Sequence, residues 1–145
     1  MAPSLESSRY LKDVKKFVTI GNIDINVSGK TRRGWNGGYT ALLIATQYGH
    51  VEIVEYLLSL DYLDINKSND SGMSALHTAA YHNNNEVIMG MLVMQPGVNI
   101  NQQNQLGWTP LDWALEYNAQ NVKLIEILRR NGGKRQHSLL HDVCV

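Results

Sequence analysis

A chain of 145 residues, 43% hydrophobic and 18% charged, is long enough for one domain with a real core and too short for two comfortable ones. Thirteen basic side chains balance thirteen acidic ones, so no global charge favours nucleic acid or an anionic membrane. No apolar run approaches the ~20 residues of a membrane span, and Met1–Tyr10 lacks the apolar stretch of a secretory signal.

The single cysteine, Cys144, rules out an internal disulfide and, with no signal, points to a reducing compartment. The expected location is therefore intracellular, in cytoplasm or nucleus, and the sequons at Asn26, Asn66 and Asn69 are expected to stay unglycosylated. Charge is unevenly placed. Residues 1–33 hold seven basic side chains against three acidic ones, and 123–145 hold five against two. Between them, 34–122 carries Lys67 alone against eight acids, so the middle of the molecule is acidic.

Self-similarity organises the chain. Gly38-Tyr-Thr-Ala-Leu42, Gly72-Met-Ser-Ala-Leu76 and Gly107-Trp-Thr-Pro-Leu111 share a beginning, with glycines 34 and 35 residues apart. Asp24-Ile-Asn26, Asp64-Ile-Asn66 and Asn99-Ile-Asn101 share an end. In chain order, Arg9–Asn26 aligns without gaps onto Gly49–Asn66 at an offset of 40. This predicts an N-terminal repeat with a curtailed first helix, and Lys12, Lys15 and Lys16 facing solvent at the end of a stack. The stretch from Asn26 to Gly38 is twelve residues, against six from Asn66 to Gly72 and from Asn101 to Gly107. The extra residues form a lengthened finger bearing Lys30, Arg32, Arg33 and Trp35. Unusual loop length is a mark of function, although glycine-rich insertions are also tolerated as inert surface.

Each unit then parses in the same way. The glycine permits a tight turn with positive φ, and Thr40, Ser74 and Thr109 offer a hydroxyl to cap a short helix, with Pro110 at its first position in the third unit. These helices read ALLIATQY, ALHTAAYH and PLDWALEY, and Ala45, Ala79, Ala80 and Ala114 let a neighbour approach closely. Gly49 ends the first, and Asn83 and Asn118 replace it, asparagine being the next best residue for a left-handed terminus. A second helix follows with apolar spacing at Val51, Val54, Leu57 and Leu58, then Val87, Met91 and Leu92. The connections at Asp61–Leu63 and Gln95–Val98 are long by one and about two residues. A fourth second helix closes on Leu128-Arg-Arg-Asn-Gly-Gly133. Ser138-Leu-Leu-His141 starts one more helix, with Cys144 at a position for a small buried residue. No such unit buries its apolar face alone, so the units must stack.

The pattern of turn glycine, Thr-Pro-Leu-His-x-Ala-Ala, a second turn and a second helix resembles the ankyrin-repeat family, matched best by Gly38–Asn66 and Gly72–Asn101. Leu43 and Asp112 depart from it where His77 keeps the family's histidine. The resemblance implies an all-α solenoid of about four repeats with partial caps. Its units are a partial repeat over 1–27, repeats over 28–66, 67–101 and 102–133, and a partial repeat or cap over 134–145. It also implies that His77 hydrogen-bonds within its repeat turn.

No enzyme motif survives inspection: there is no phosphate loop, nucleophile elbow or His-Glu-x-x-His site. His137 and His141 lie four apart, but no further ligands complete a metal shell, so neither metal nor cofactor is expected. Cys144 has no positioned base and reads as packing. Instead the resemblance implies non-catalytic protein recognition in a concave groove. The positions carried over are Gln47, Tyr48, Tyr81, His82, Glu116 and Tyr117 before the second helices, and Tyr39, Met73 and Trp108 after the turn glycines. Aromatic rows suit recognition because rigid rings bury much area at low entropy cost. Trp113 is assigned to packing. With Asp70 and Glu116 making the groove acidic, the expected partner is a protein or peptide with apolar anchors and some positive charge, not nucleic acid or membrane, and the chain is expected to be monomeric. Two alternatives are a targeting or substrate-recruiting module cut from a larger, effector-type multidomain protein and a self-association module.

Overall fold

The computed structural model describes residues 5–20, 24–29, 37–82 and 85–136. Within them lie seven helices and no strand: α1 (Leu5–Ile20), α2 (Ala41–Gln47), α3 (Val51–Leu58), α4 (Ala75–Tyr81), α5 (Glu86–Val93), α6 (Pro110–Tyr117) and α7 (Val122–Arg130). The short first helices start where the hydroxyls predict. Thr40 and Thr109 sit in extended backbone and accept the N–H of Leu43 at 3.3 Å and of Asp112 at 3.2 Å. Ser74 forms a reciprocal cap with His77. Each cap satisfies N–H groups that a helix start leaves without partners.

Helices α2, α4 and α6 pack side by side as one row, and α1, α3, α5 and α7 as a second row behind it. The core lies between the rows. Leu43, Val54, Leu57, Ala79, Ala80, Ile88, Met89, Leu92, Ala114, Leu124 and Leu128 are fully buried. Alanines at the contacts let helices of only two turns approach closely, so stacking rather than intrinsic helicity stabilises them.

The shared Ile-Asn endings have a structural cause. Asn66 accepts the Asn99 N–H at 2.7 Å and donates to the Gly97 carbonyl at 2.8 Å. Asn26 makes the same pair with Asp64 and Tyr62, at 2.7 and 2.8 Å, and Asn101 with Lys134 and Gly132, at 2.7 and 3.0 Å. One amide thus clamps each unit to the next, using both its donor and its acceptor. Asn66→Ala leaves a donor and an acceptor of the next loop to find new partners. It is expected to cost about 1–3 kcal/mol in chemical denaturation, and Asn66→Asp, which keeps only the acceptor, should fall in between.

Three sequence expectations are corrected. First, the N-terminal unit has no curtailed first helix: α1 is one helix of 16 residues, running through Ser8-Arg9-Tyr10, which aligns with Tyr48-Gly49-His50. Gly49 breaks the helix there with φ +69; Arg9, with a side chain, does not. Second, Val87 is 61% exposed while Ile88 and Met89 are buried, because the apolar run Val87–Met89 let periodicity choose the wrong register. Third, Asn118 ends α6 at φ −143, outside the left-handed region. It is buried there and donates to the Ala80 and His82 carbonyls at 3.2 and 3.5 Å, so its role is to tie two repeats together. Asn83 and the segment 137–145, including His137, His141 and Cys144, lie outside the described residues.

Candidate partner-binding cleft

The turns preceding α4 and α6 are fingers built on an asparagine. Asn69 Oδ1 accepts the N–H groups of Ser71 and Met73 at 3.0 and 2.9 Å, and the Asn69 N–H donates to the Met73 carbonyl at 3.0 Å. Asn104 repeats this with Leu106 and Trp108, at 2.9 and 3.0 Å, and its N–H reaches the Trp108 carbonyl at 3.0 Å. The lengthened first finger is closed at its base by an antiparallel bridge between Gly29 and Tyr39. Fingers also bond to one another. The Asp70 N–H donates to Gly37 at 3.0 Å, the Gln105 N–H donates to Ser71 at 3.1 Å, and the Gln105 side-chain amide donates to the Asp70 carbonyl.

His77 joins the fingers to the helices. Its Nδ1 accepts from the Ser74 N–H at 3.2 Å, which leaves Nε2–H to donate to the Trp108 carbonyl at 2.8 Å. The fully buried imidazole is thus neutral, as the turn role implied by the resemblance requires. In the next unit Asp112 accepts from the Thr109 N–H and hydroxyl at 2.9 and 3.0 Å and from the Gln136 N–H at 3.1 Å. A carboxylate therefore replaces the histidine with the same geometry but only acceptors. Leu43 fills the position in the first unit by packing alone.

Burial holds the His77 imidazole below its ordinary 6.5, outweighing the Trp108 carbonyl and Asp112, which favour the charged form. Above that pH both folded and unfolded chains are neutral at this site. Below it the unfolded chain takes up a proton that the folded chain refuses. Stability therefore falls as pH drops from 6.5 toward the lower folded-state value, by up to about 1.4 kcal/mol per pH unit from this one group. Denaturation midpoints across that window should slope downward with acid in the wild type. His77→Leu, imitating Leu43, should be less stable at neutral pH and lose that part of the slope.

Between the fingers and the first-helix row lies a cleft of about 610 Å³. Of the residues expected to bind a partner, Tyr39, Gln47, Met73, Tyr81, His82 and Tyr117 line it. Tyr81 and Tyr117 are 48% and 51% exposed, with ring centres 5.5 Å apart. Trp113 lines the cleft as well, so its assignment to packing alone is incomplete. Its ring stands 4.6 Å from Tyr117, 5.6 Å from Trp108 and 6.3 Å from Tyr81. Trp108 is half-buried beside this cluster, and Tyr81 meets His82 edge-on at 5.0 Å.

Asp70 and Glu116 are exposed next to lining residues, and residues 68–122 contain no lysine or arginine. Among the described residues, no lysine or arginine lines the cleft, and burial holds the His82 imidazole below its ordinary 6.5, toward the neutral form. Sequence reading missed Leu106, 67% exposed on the cleft; its position just before the turn glycine places it at a finger tip. Tyr48 is not brought to this cleft. It stacks on His50 at 6.3 Å and lines a separate depression with Val14 and Ile44. Lys30, Arg32, Arg33 and Trp35 lie outside the described residues. Among the described residues, no cluster of three or more His, Cys, Asp or Glu is placed to hold a metal ion. None of the described helices is long and apolar enough to cross a membrane.

Comparison with known proteins agrees with this architecture. The sequence model of the family described as ankyrin repeats (3 copies) matches residues 6–104 and 63–138. An ankyrin repeat protein of fowlpox virus is 32% identical over 124 residues, 86% of this chain and 34% of its own length. A potassium channel of Arabidopsis thaliana is 30% identical over 97 residues, 67% of this chain and 11% of the channel. The crystal structure of an ankyrin repeat domain from Acinetobacter baumannii superposes with a TM-score of 0.68 at 27% identity, covering 88% of this chain and 62% of that one. The chain thus spans about a third or less of these two curated relatives. Repeats of this kind serve in general as non-catalytic modules that hold other proteins. With hydroxyl caps, asparagine clamps and a family match over most of its length in agreement, the chain belongs to the ankyrin-repeat family.

Proposed function

We propose that the cleft between the fingers and helices α2, α4 and α6 holds a segment of a partner protein that carries apolar anchors and positive charge. The observation that supports this reading is the cluster of Tyr81, Trp113 and Tyr117, with Trp108 behind it, on the open wall of the cleft. Half-exposed rings grouped in this way bury large area when covered, and they dominate interface energetics. A lysine or arginine of the partner gains twice, from the aromatic faces and from the acidic rim at Asp70 and Glu116. Nucleic acid is a poor fit, since phosphate neutralisation needs cations that residues 68–122 lack. On sequence grounds the finger residues Lys30, Arg32, Arg33 and Trp35 belong to the same proposal, reaching an acidic patch of the partner.

The test is affinity capture from lysate read by mass spectrometry, with the wild-type chain beside Tyr81→Ala/Tyr117→Ala, both verified for helicity. Proteins retained by the wild type and lost by the variant support the reading. Equal retention by the two removes the cleft from consideration.

A further inference from the structure

Helix α5 has an apolar outer face, unlike its neighbours. Aligned on the buried Leu57, Leu92 and Leu128, the outward positions of the second-helix row are Glu52, Glu55 and Ser59 on α3 and Lys123, Glu126 and Arg130 on α7. On α5 they are Val87, Gly90 and Met94, with Val87 and Met94 61% and 74% exposed. Both neighbours, α3 and α7, are packed in place beside α5, so no missing repeat leaves this face open. A helix that is apolar on nearly every side is ordinarily a covered one.

Gly90 is a second departure. It sits in the middle of α5 with ordinary helical backbone, and a Cβ there would meet nothing described within 4 Å. Glycine costs helix stability relative to alanine, and nothing in the described molecule requires it here. With Val87, Met91 and Met94 it lines a furrow of about 560 Å³, which has Glu55 on its α3 wall. A furrow of about 380 Å³ follows the other side of α5, with Lys123 and Arg130 on its α7 wall. A glycine placed between two such furrows lets a second backbone approach closely.

Charge decides what fits this face. Its α3 flank is acidic, with Glu52 and Glu55, and its α7 flank sets Lys123, Arg129 and Arg130 against Glu126, which pairs with Arg130. Such a face matches itself. A two-fold axis along α5 lays that helix on its copy and sets each α3 opposite the other copy's α7. An axis across the helices would instead bring Glu52 and Glu55 against their own copies. It would do the same to Lys12 and Lys15, which align with them on α1, and like-charge repulsion disfavours both contacts. We propose that the outer face of α5 is an isologous interface for a second copy of this chain, with Gly90 at the helix contact and opposite charges on the flanks. The chain, expected from its sequence to be monomeric, then pairs. The aromatic clefts lie on the first-helix row and stay open, so the interface does not depend on what they bind.

Sedimentation equilibrium of the full chain, from micromolar to near-millimolar concentration, is expected to show the mass rising from 16.3 kDa toward twice that value. Val87→Gln/Met94→Gln should weaken pairing at least tenfold, with helicity retained because both side chains are exposed. Gly90→Ala should raise the urea midpoint of the dilute monomer yet weaken pairing at least tenfold, two effects of opposite sign that a glycine serving only the monomer would not give. Glu52→Lys/Glu55→Lys and Lys123→Glu/Arg130→Glu should each pair poorly alone. Their equimolar mixture places opposite charges on both flanks and should pair at least tenfold more tightly than either, a gain that shrinks as salt is raised. A monomer mass at every concentration, pairing unchanged by Val87→Gln/Met94→Gln or by Gly90→Ala, or a mixture no better than its components would each overturn the proposal. Loss of pairing in Tyr81→Ala/Tyr117→Ala would overturn it too, by placing the contact in the aromatic cleft.

Discussion

Alanine at Gly72 is expected to destabilise the fold by about 2–5 kcal/mol, far more than alanine at the equivalent Gly107. Both glycines sit in left-handed backbone, at φ +77 and +79, where a side chain costs about 1–2 kcal/mol. They differ in what a Cβ would meet. At Gly72 it would lie 2.8 Å from the Gln105 N and 2.9 Å from the Asn104 Cα, whereas at Gly107 nothing described lies within 4 Å. Backbone atoms of the next finger cannot rotate away, so the fingers must separate and the bond from the Gln105 N–H to Ser71 must lengthen. Gly107→Ala should therefore show only the conformational strain. Urea titrations of the two variants measure the difference, and equal losses would mean that the fingers yield freely. Because Gly72 neighbours Met73 and abuts Asn104, the variant should also weaken any ligand held in the cleft.

Removing Tyr81 and Tyr117 together should raise the Kd of a captured partner at least thirtyfold, equivalent to about 2 kcal/mol. The two rings stand 5.5 Å apart and would be covered by one partner segment. Their combined effect should therefore be less than the product of the single ones. Since each is about half exposed, truncation should cost little stability, and circular dichroism should show unchanged helicity. Tyr62→Ala is the control: that ring is 56% exposed but stands in the connection after α3, and its loss should leave the Kd within about twofold, as for a residue outside the contact. A thirtyfold loss in Tyr62→Ala as well would point to a nonspecific surface effect.

The repeat could be read from residues because its signals are local. A hydroxyl before Ala-Leu, a glycine at φ > 0 and an Ile-Asn ending each act within a few residues, and Thr40, Thr109, Gly49 and Asn66 perform the roles that their chemistry allows. Asn66 also shows the limit. The sequence marks that it recurs, but not that its amide bridges to Gly97 and Asn99, because that partner comes from stacking. Val87 failed for another reason: α5 is apolar around most of its circumference, so the packed neighbours α3 and α7 decide its orientation. Tyr48 and Tyr81 look alike in sequence, yet each ring goes where its flanking helix is or is not covered. Trp113 and Leu106 joined the cleft through the same three-dimensional neighbourhood, one by its register on α6 and the other by finger length. Arg9 in place of a turn glycine was the available sign that α1 continues through the expected break.

Amide chemical shifts of the isotopically labelled chain, titrated with a captured partner, decide where recognition occurs. Binding in the cleft predicts that the largest changes fall at Met73, Tyr81, Leu106, Tyr117 and the Trp113 indole, with little change on α3, α5 and α7. Changes concentrated at Val87, Met94 and Val122, on the opposite row of helices, would contradict it.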